Sequence, residues 1–317
     1  MGFQQSEGRA NMKEDIQGIV ESSVQSSLAK FGQDKQSITH PLNELADSSS
    51  SISGLSFHDE DLSSLLKHGV HAVTPTELVL APVDLHRRVI KHRLADEGQP
   101  RDSMHLCKPV DVVAELLEAK TGDKPGTVDR IDRLPLLEDL LQRHSEVADR
   151  FQVIFGSSPA DSVKLVEQAR TEIESITGYH PERIEQFRES CQQQGDPVGA
   201  DGLDILEGTV EIERHLRQQT DCVTSKEALV RWACREMRKS DGVLWKEQFA
   251  HIDRVWLCGV STISASLGDW LTCLLSKTDV DVHIYVRDAS ETVIRERLPQ
   301  LLGIEEPGEE VFDVHDR

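Results

Sequence analysis

The alternation of apolar and polar residues is clearest near the end of the chain. Residues Ile252–Ser261 form a short, mostly apolar run, which is typical of a buried strand. Ser264–Ser276 shows helical spacing of its apolar residues, and Val280–Val286 is a second apolar run. This succession predicts a βαβ unit, whose parallel strands need helices on the faces of their sheet. The C-terminal part of the chain is therefore predicted to be α/β.

A similar pattern occurs much earlier in the chain. Glu77–Ala81 is a short apolar run before Pro82. It is followed by a stripe of apolar residues at helical spacing, Leu85, Val89, Ile90 and Leu94. A single strand is not stable alone, so we expect Glu77–Ala81 to pair with the C-terminal strands.

Helical patterns fill the residues between these two segments. They cover Val110–Lys120, Val128–Val147, Asp161–Ile176, Pro181–Gln194, Leu203–Gln218 and Ser225–Arg238. Strand–helix units at both ends with helices between them predict one parallel α/β sheet. We expect this sheet to be built from 71–108 and 251–317 and to be interrupted by a large helical insert at 109–250. Two separate domains in series are the alternative.

Residues 1–70 differ in composition from the rest of the chain. Met12–Phe31 has the spacing of a weakly amphipathic helix but is rich in Ser and Gln, and Asp47–Ser53 is a serine run around one Ile. Such segments contain too little apolar surface to offset the entropy of ordering. We therefore predict a flexible, disordered N-terminal tail at 1–70.

The charge of the chain restricts its partners. The 317 residues carry a formal charge of -21, and the 35 basic residues are 22 Arg and 13 Lys. An acidic, lysine-poor composition is typical of a halophilic protein that stays soluble in high salt. Its long-range field repels phosphate, so a contact with nucleic acid has to be local or to form where salt screens the charge.

The cysteines and the longest apolar segments bear on the compartment. The six cysteines include no Cys-x-x-Cys pair and no zinc-finger spacing, so we expect reduced thiols and no structural metal. No stretch reaches the roughly 18 apolar residues that a membrane span needs, and the N-terminus is polar. The sequence predicts a cytoplasmic protein without a membrane partner.

Two positions that carry the chemistry of nucleotide-hydrolysing enzymes are unsuited to it here. The turn after the first strand, Ala81-Pro-Val-Asp-Leu-His-Arg-Arg, has no glycine and no Lys-Ser or Lys-Thr pair to form a phosphate-binding loop, and Asp84 would repel phosphate. The later strand end, Leu257–Val260, has Cys258 and Gly259 in place of an acidic pair. We therefore predict no catalytic residue, no cofactor and no metal site.

A cluster of cations lies on the helix predicted after the first strand. The candidate contacts for DNA phosphates are Arg87, Arg88, Lys91 and Arg93. Two of them, Arg87 and Lys91, lie one helical turn apart on the same face. The alternative is a solvated face that pairs with neighbouring carboxylates. A second charged segment, around Arg133, is predicted to be an ion-paired surface.

Three stretches together carry a family resemblance. They are Glu77-Leu-Val-Leu-Ala-Pro with the Arg-rich helix, then Cys107–Leu117 with Val128–Leu137, and finally His251–Ser264 with Leu271–Leu275 and Asp281–Val286. These stretches resemble the N-terminal helicase-like region of the B subunit of AddAB-type helicase–nucleases. That region is a degenerate branch of the UvrD-like helicase superfamily, and the resemblance covers residues 75–317.

The resemblance implies a fold, a role and partners. It implies a P-loop-NTPase-like motor sheet in which Gly259 matches the glycine of a Gly-Phe-like turn, where active helicases have Asp-Glu, although Val260 replaces the aromatic residue. In that family, this region handles DNA and acts as a scaffold while a partner motor translocates. The implied partners are DNA and a protein such as a helicase or nuclease.

From these observations we expect a non-catalytic, helicase-like domain that is inactive as an ATPase. It would serve DNA recombination or repair as a scaffold or DNA-handling part of a helicase–nuclease system. Two alternatives stay open: a Rossmann-like enzyme that binds a small nucleotide at its strand ends, and a protein-interaction adaptor whose N-terminal tail recruits partners.

Overall fold

The structure, a computed structural model, describes residues 53–58, 62–68, 74–81, 83–100, 102–156, 159–286 and 290–312. The strands in this part of the chain are β1 (Leu55–His58), β2 (Glu77–Leu80), β3 (His105–Cys107), β4 (Arg254–Val260) and β5 (Asp281–Val286). The helices are α1 (Ser63–Lys67), α2 (Asp84–Asp96), α3 (Pro109–Thr121), α4 (Arg130–Arg143), α5 (Ser145–Phe155), α6 (Pro159–Thr177), α7 (Pro181–Gln194), α8 (Val198–Gln219), α9 (Lys226–Lys239), α10 (Val243–Phe249), α11 (Ala265–Lys277) and α12 (Glu291–Leu302). In these ranges, every helix is too short or too polar to cross a bilayer.

The described strands form one parallel sheet in the order β1-β5-β4-β2-β3. β2 pairs with β4, so that Leu78 lies opposite Val255, and β4 pairs with β5, so that Val255 lies opposite Val282. The early strand and the C-terminal strands are therefore direct neighbours. This confirms the predicted α/β fold with one discontinuous parallel sheet and excludes two separate sheets in series.

Alternate side chains of the strands enter two different cores. Val79, Trp256 and Tyr285 pack with α1 and α2 on one face. Leu78 and Val255 point the other way, where α3, α9, α11 and α12 cover the sheet. Because both faces are covered, β2 is buried along its whole length, as in other parallel sheets.

The predicted helical insert divides between two structural roles. Helices α4 to α8, which we call the helical subdomain, enclose apolar clusters of their own that include Leu137, Phe151 and Ile184. In contrast, α3, α9 and α10 cover the sheet, and Leu117 and Met237 belong to its core. The predicted range 109–250 is helical, but its two ends are part of the layer that covers the sheet.

The folded body begins before residue 70. β1 pairs with β5 from Leu55 to His58, and Leu65 of α1 is fully buried. The prediction of a flexible tail is therefore wrong for these residues, because their short apolar segments become ordered on a sheet edge that β5 provides. The predicted tail up to residue 52 lies outside the described residues.

A buried network of ion pairs joins the helical subdomain to the layer that covers the sheet. Arg231 of α9 is fully buried and donates to Glu174 of α6 at 2.8 Å and to Glu310 at 2.7 Å. Arg170 donates to Glu174 at 3.1 Å and to Glu213 at 2.8 Å. Burial alone would raise the pKa of Glu174, but Arg170 and Arg231 outweigh it and lower that pKa to about 2. The charges are tolerated in the interior because each is paired and hydrogen-bonded.

Arg133 belongs to this buried network and not to the surface. Its Nε donates to Glu167 at 2.8 Å, and its Nη1 donates to the Val128 carbonyl at 3.1 Å. The prediction of an exposed, ion-paired Arg133 is therefore wrong. The carboxylate of Glu167 comes from α6, so the neighbours of Arg133 in the sequence did not reveal it.

Candidate functional site

The topology of the sheet determines where a ligand would bind. α2 follows β2 and α11 follows β4, and the two helices cover opposite faces of the sheet. In open parallel sheets, ligands bind outside the carboxyl ends of neighbouring strands whose helices leave on opposite faces. Here that position lies between β2 and β4. We call this space the switch-point crevice, and the residues at its border are Ala81, Asp84, His86, Cys258 and Gly259.

The histidine of α2 lies against the glycine of β4 in this crevice. Gly259 has a positive φ of 73°, and the register of β4 against β5 shifts between Cys258 and Val260. A Cβ atom at position 259 would overlap the ring of His86. The bulge in β4 and the missing side chain of Gly259 therefore admit His86 to the place where a nucleotide would approach the sheet.

The N-terminal end of α2 is used by internal charge pairs. Asp84 lies in the first turn of α2, where a carboxylate is favoured by the positive end of the helix and opposes the binding of an external anion. Arg87 pairs with Asp84 and also donates from Nη1 to the Ala81 carbonyl at 2.8 Å. Lys108, which follows β3, lies 3.8 Å from Asp84. Both cations nearest the crevice therefore contact this carboxylate.

Two thiols, Cys107 and Cys258, lie at or near the carboxyl ends of β3 and β4. Burial raises the pKa of the Cys258 thiol. Burial, and then the charges of Asp111 and Glu115, raise the pKa of Cys107 to about 12. Both thiols stay protonated at neutral pH and are poor nucleophiles and metal ligands in that state.

The buried carboxylate of the central strands lies at the opposite edge of the sheet. Glu77 begins β2 and accepts hydrogen bonds from Arg254 Nη1 at 2.6 Å and from Trp256 Nε1 at 2.5 Å. Because β2 and β4 run parallel, this is the amino edge, away from the switch-point crevice. Within the described residues, no three His, Cys, Asp or Glu side chains are grouped as metal ligands.

The outer face of α2 presents the other predicted cations. Arg88, Lys91 and Arg93 are exposed, and the described part of the chain places no carboxylate in contact with them. We call these three residues the basic α2 face. Arg87 was predicted to belong with them, but it is half-buried and held by Asp84. The structure thus separates the four candidate residues into one internal arginine and three solvent-facing cations.

Apolar residues are exposed beside the basic α2 face. Val83, Leu85 and Val89 are 49%, 63% and 41% exposed, respectively. Leu85 and Val89 are one turn apart on the outer side of α2, next to Arg88. Of the four residues in the apolar stripe of this helix, only Ile90 and Leu94 are buried. A mixed cationic and aliphatic surface of this kind is able to contact a macromolecule.

A comparison with protein families identifies the family of this chain. The family of halobacterial UvrD-like proteins matches residues 44–313. This match includes all five described strands and extends over far more than half of the 317 residues. A comparison with curated proteins finds no match. The chain therefore belongs to the halobacterial UvrD-like protein family, which indicates a helicase-related role.

Proposed function

We propose that this chain is a helicase-like domain that does not hydrolyse ATP and that contacts DNA through the basic α2 face. We further propose that it serves recombination or repair, as a scaffold or DNA-handling part of a helicase–nuclease system like the one that contains the AddAB-type B subunit. Membership of a UvrD-like family supports the helicase-related role. The observation that carries the proposal is the ring of His86 against Gly259 in the switch-point crevice.

The groups at this crevice support the proposed absence of hydrolysis. A triphosphate needs backbone donors and a free cation at the helix start, and a carboxylate that positions Mg²⁺. Here the helix starts with Asp84, while Arg87 is paired with it. The end of β4 has a protonated thiol at Cys258 and a glycine that packs on His86. These side chains oppose both the phosphates and the metal.

Nucleotide binding tests this part of the proposal. We expect phosphate release from ATP to stay at the level of the buffer, and we expect Mg²⁺ to add no further change to the melting temperature measured with ATP alone. A ligand at a hundred times its dissociation constant would stabilise the fold by about 2.7 kcal/mol, which a thermal shift detects easily. Phosphate release above the level of the buffer, or a rise in melting temperature that needs ATP and Mg²⁺ together, would contradict the proposal.

The DNA contact is proposed from the local charge of α2. Exposed cations without carboxylate partners are free to exchange their counterions for phosphate, which supplies most of the affinity of non-specific binding. The net charge of -21 repels DNA at long range, so the contact depends on short-range pairs at Arg88, Lys91 and Arg93.

A salt titration with charge-reversed variants tests the DNA contact. The triple variant Arg88→Glu, Lys91→Glu, Arg93→Glu is expected to weaken binding of single-stranded DNA and to make the slope of log K against log salt shallower by about 2, at salt above roughly 0.2 M. The matched control is Arg130→Glu with Lys164→Glu, because these two cations are also exposed but lie on α4 and α6. Equal slopes in the triple variant and the wild type would contradict the proposed contact.

A protein partner is the second candidate for this surface. It is favoured by the exposure of Leu85 and Val89 beside the cations. If wild-type protein binds no DNA at any salt concentration, the basic α2 face is assigned to an acidic protein partner instead.

A further inference from the structure

A cavity of about 310 Å³ lies where α8 ends and α9 begins, and it shares no lining residue with the switch-point crevice. The polar and aromatic part of its lining consists of Arg217, Cys222, Thr224, Trp232, Arg235 and Glu310. Its volume is at the lower end of the range of small-molecule sites, which is about 300–1,000 Å³.

The cavity opens to solvent and includes a partly exposed tryptophan. Trp245, Trp256 and Trp270 are between 0% and 2% exposed, whereas Trp232 is only half-buried. At the rim, Cys222 is exposed. An aromatic plane that lines an open cavity is able to stack on a flat ring of a ligand.

The charged wall of the cavity favours an anion. Two guanidinium groups and one carboxylate line it, so the lining has a net charge of +1 in a chain whose formal charge is -21. Arg217 donates to Glu310 at 2.5 Å and Arg235 donates to Glu310 at 2.6 Å. Arg231 contacts the same carboxylate from the protein interior at 2.7 Å. Three guanidinium groups therefore share Glu310.

Glu213 is a further carboxylate near the cavity, but it does not line it. Glu213 accepts from Arg217 at 3.0 Å, but it also pairs with Arg170 and with the Thr224 hydroxyl on its buried side. Arg217 and Arg235 remain 25% and 21% exposed, so their guanidinium groups are accessible from the cavity. A guanidinium has five N–H donors, and the carboxylates accept three from Arg217, so its remaining donors can bind phosphate oxygens.

We infer that this cavity binds a nucleotide, either free or as one unit of single-stranded DNA. The base would stack on Trp232, and the phosphate would face Arg217 and Arg235. A flat ring joined to an anion is the chemical class that this combination of aromatic plane and guanidinium groups recognises. The inference does not depend on the basic α2 face and would stand if α2 were found to make no DNA contact.

Cys222 provides a direct measurement of occupancy. The other cysteines, Cys107, Cys191, Cys234, Cys258 and Cys273, are buried or half-buried, so a maleimide reacts first at the exposed thiol. We expect thymidine monophosphate or a short oligothymidylate to slow the modification of Cys222. Protection by both ligands indicates a site for free nucleotides, and protection by the oligonucleotide alone indicates a site for a strand. No protection by either ligand overturns the inference.

Variants of the cavity separate stacking from charge. Trp232→Leu is expected to lower the affinity for the protecting ligand about fivefold or more, because this substitution removes stacking on the aromatic ring. The second variant is Arg235→Gln, at a half-buried position, which is expected to lower the affinity for the same ligand. This variant decides the question if Trp232→Leu does not fold. The triple variant of the basic α2 face should keep full protection by thymidine monophosphate. Unchanged protection in Arg235→Gln would overturn the inference.

Discussion

Gly259 has a backbone conformation and a close neighbour that a residue with a side chain would not tolerate. Its φ is 73°, and the ring of His86 occupies the space of a Cβ atom. We expect Gly259→Ala to lower the free energy of unfolding by about 3 kcal/mol, because the positive φ and the overlap with His86 each cost about 1–2 kcal/mol. Urea unfolding measures the loss.

Gly98→Ala is the matched control for the backbone strain. Gly98 has a φ of 71° but no atom within 4 Å of a Cβ at this position, so only the strain applies. A second comparison is the double variant Gly259→Ala, His86→Ala, which should recover most of the additional loss. If Gly259→Ala and Gly98→Ala lose the same free energy, His86 does not occupy the switch-point crevice.

His283 makes the stability depend on pH. Its Nδ1 lies 2.9 Å from Nε2 of His58, and its ring is stacked on Trp256 with centroids 4.0 Å apart. Burial, and then the neighbouring His58, lower the pKa of His283 to about 4 from an ordinary value of 6.5, although Asp281 opposes the shift. Between these two values the unfolded chain binds the proton more readily than the folded chain does. The contribution of His283 is therefore present above pH 6.5 and is lost as the pH falls towards 4.

A comparison of melting temperatures at about pH 7 and about pH 5 tests this effect. On acidification, the melting temperature of the wild type is expected to fall further than that of His283→Gln, because the amide of glutamine does not titrate. His180 and His215, whose pKa values are also lowered, chiefly by burial, contribute equally to both proteins. Identical losses in the two proteins would exclude a role for His283.

At the scale of elements, α9 depends on Arg231 for its contact with α6 and the C-terminal segment. Arg231→Met leaves Glu174 and Glu310 buried without their common partner. We expect the free energy of unfolding to fall by about 3–5 kcal/mol, as it does when one member of a buried ion pair is removed. Urea unfolding followed by circular dichroism measures it.

The control for Arg231→Met is a pair on the surface. Arg188 and Glu185 form an ion pair on α7 with side chains 40% and 60% exposed. Arg188→Met should lower the free energy of unfolding by at most about 1 kcal/mol, because solvent screens such pairs. A loss below about 1 kcal/mol in Arg231→Met as well would mean that water reaches the carboxylates of the network.

The elements differ in how far the sequence predicts them. β2, β4 and β5 lie inside the sheet or against its core and are apolar runs, so periodicity identifies them. β1 and β3 are edge strands with one neighbour each, and at four and three residues they are too short for a periodic pattern to stand out from the surrounding sequence. They become strands because β5 and β2 offer them hydrogen bonds, which is information that local sequence does not contain.

The candidate site shows the same division between local and tertiary information. The sequence identifies Gly259 as a special position and α2 as a basic helix. It does not show that His86 packs on Gly259 or that Arg133 pairs with Glu167. Each of these two contacts depends on a second element, so spacing along one helix could not predict it. The pair of Asp84 and Arg87, in contrast, has the i,i+3 spacing of neighbours on one helix.

For the whole molecule, the net charge of -21 determines the response to salt. Exposed carboxylates repel one another over a Debye length of about 30 Å at 0.01 M salt and about 8 Å at 0.15 M. We therefore expect the melting temperature to rise with KCl over this range. The buried pairs around Arg231 are screened much less and should not oppose the rise. A constant or falling melting temperature in a KCl titration would contradict this expectation.

Binding of single-stranded DNA combines two opposite salt effects in the same molecule. Salt screens the repulsion between the acidic chain and phosphate, which favours association up to about 0.1–0.2 M. Salt also competes with the basic α2 face for phosphate, so log K falls by about 0.7 for each contact as log salt rises. We therefore expect the affinity, measured by fluorescence anisotropy, to pass through a maximum at intermediate salt. The triple variant of Arg88, Lys91 and Arg93 lacks these contacts, so its affinity should be lower and should fall less steeply at high salt. If the affinity of the wild type falls steadily from the lowest salt concentration, the local cations outweigh the repulsion at every salt concentration. The acidic surface would then not control the approach of DNA.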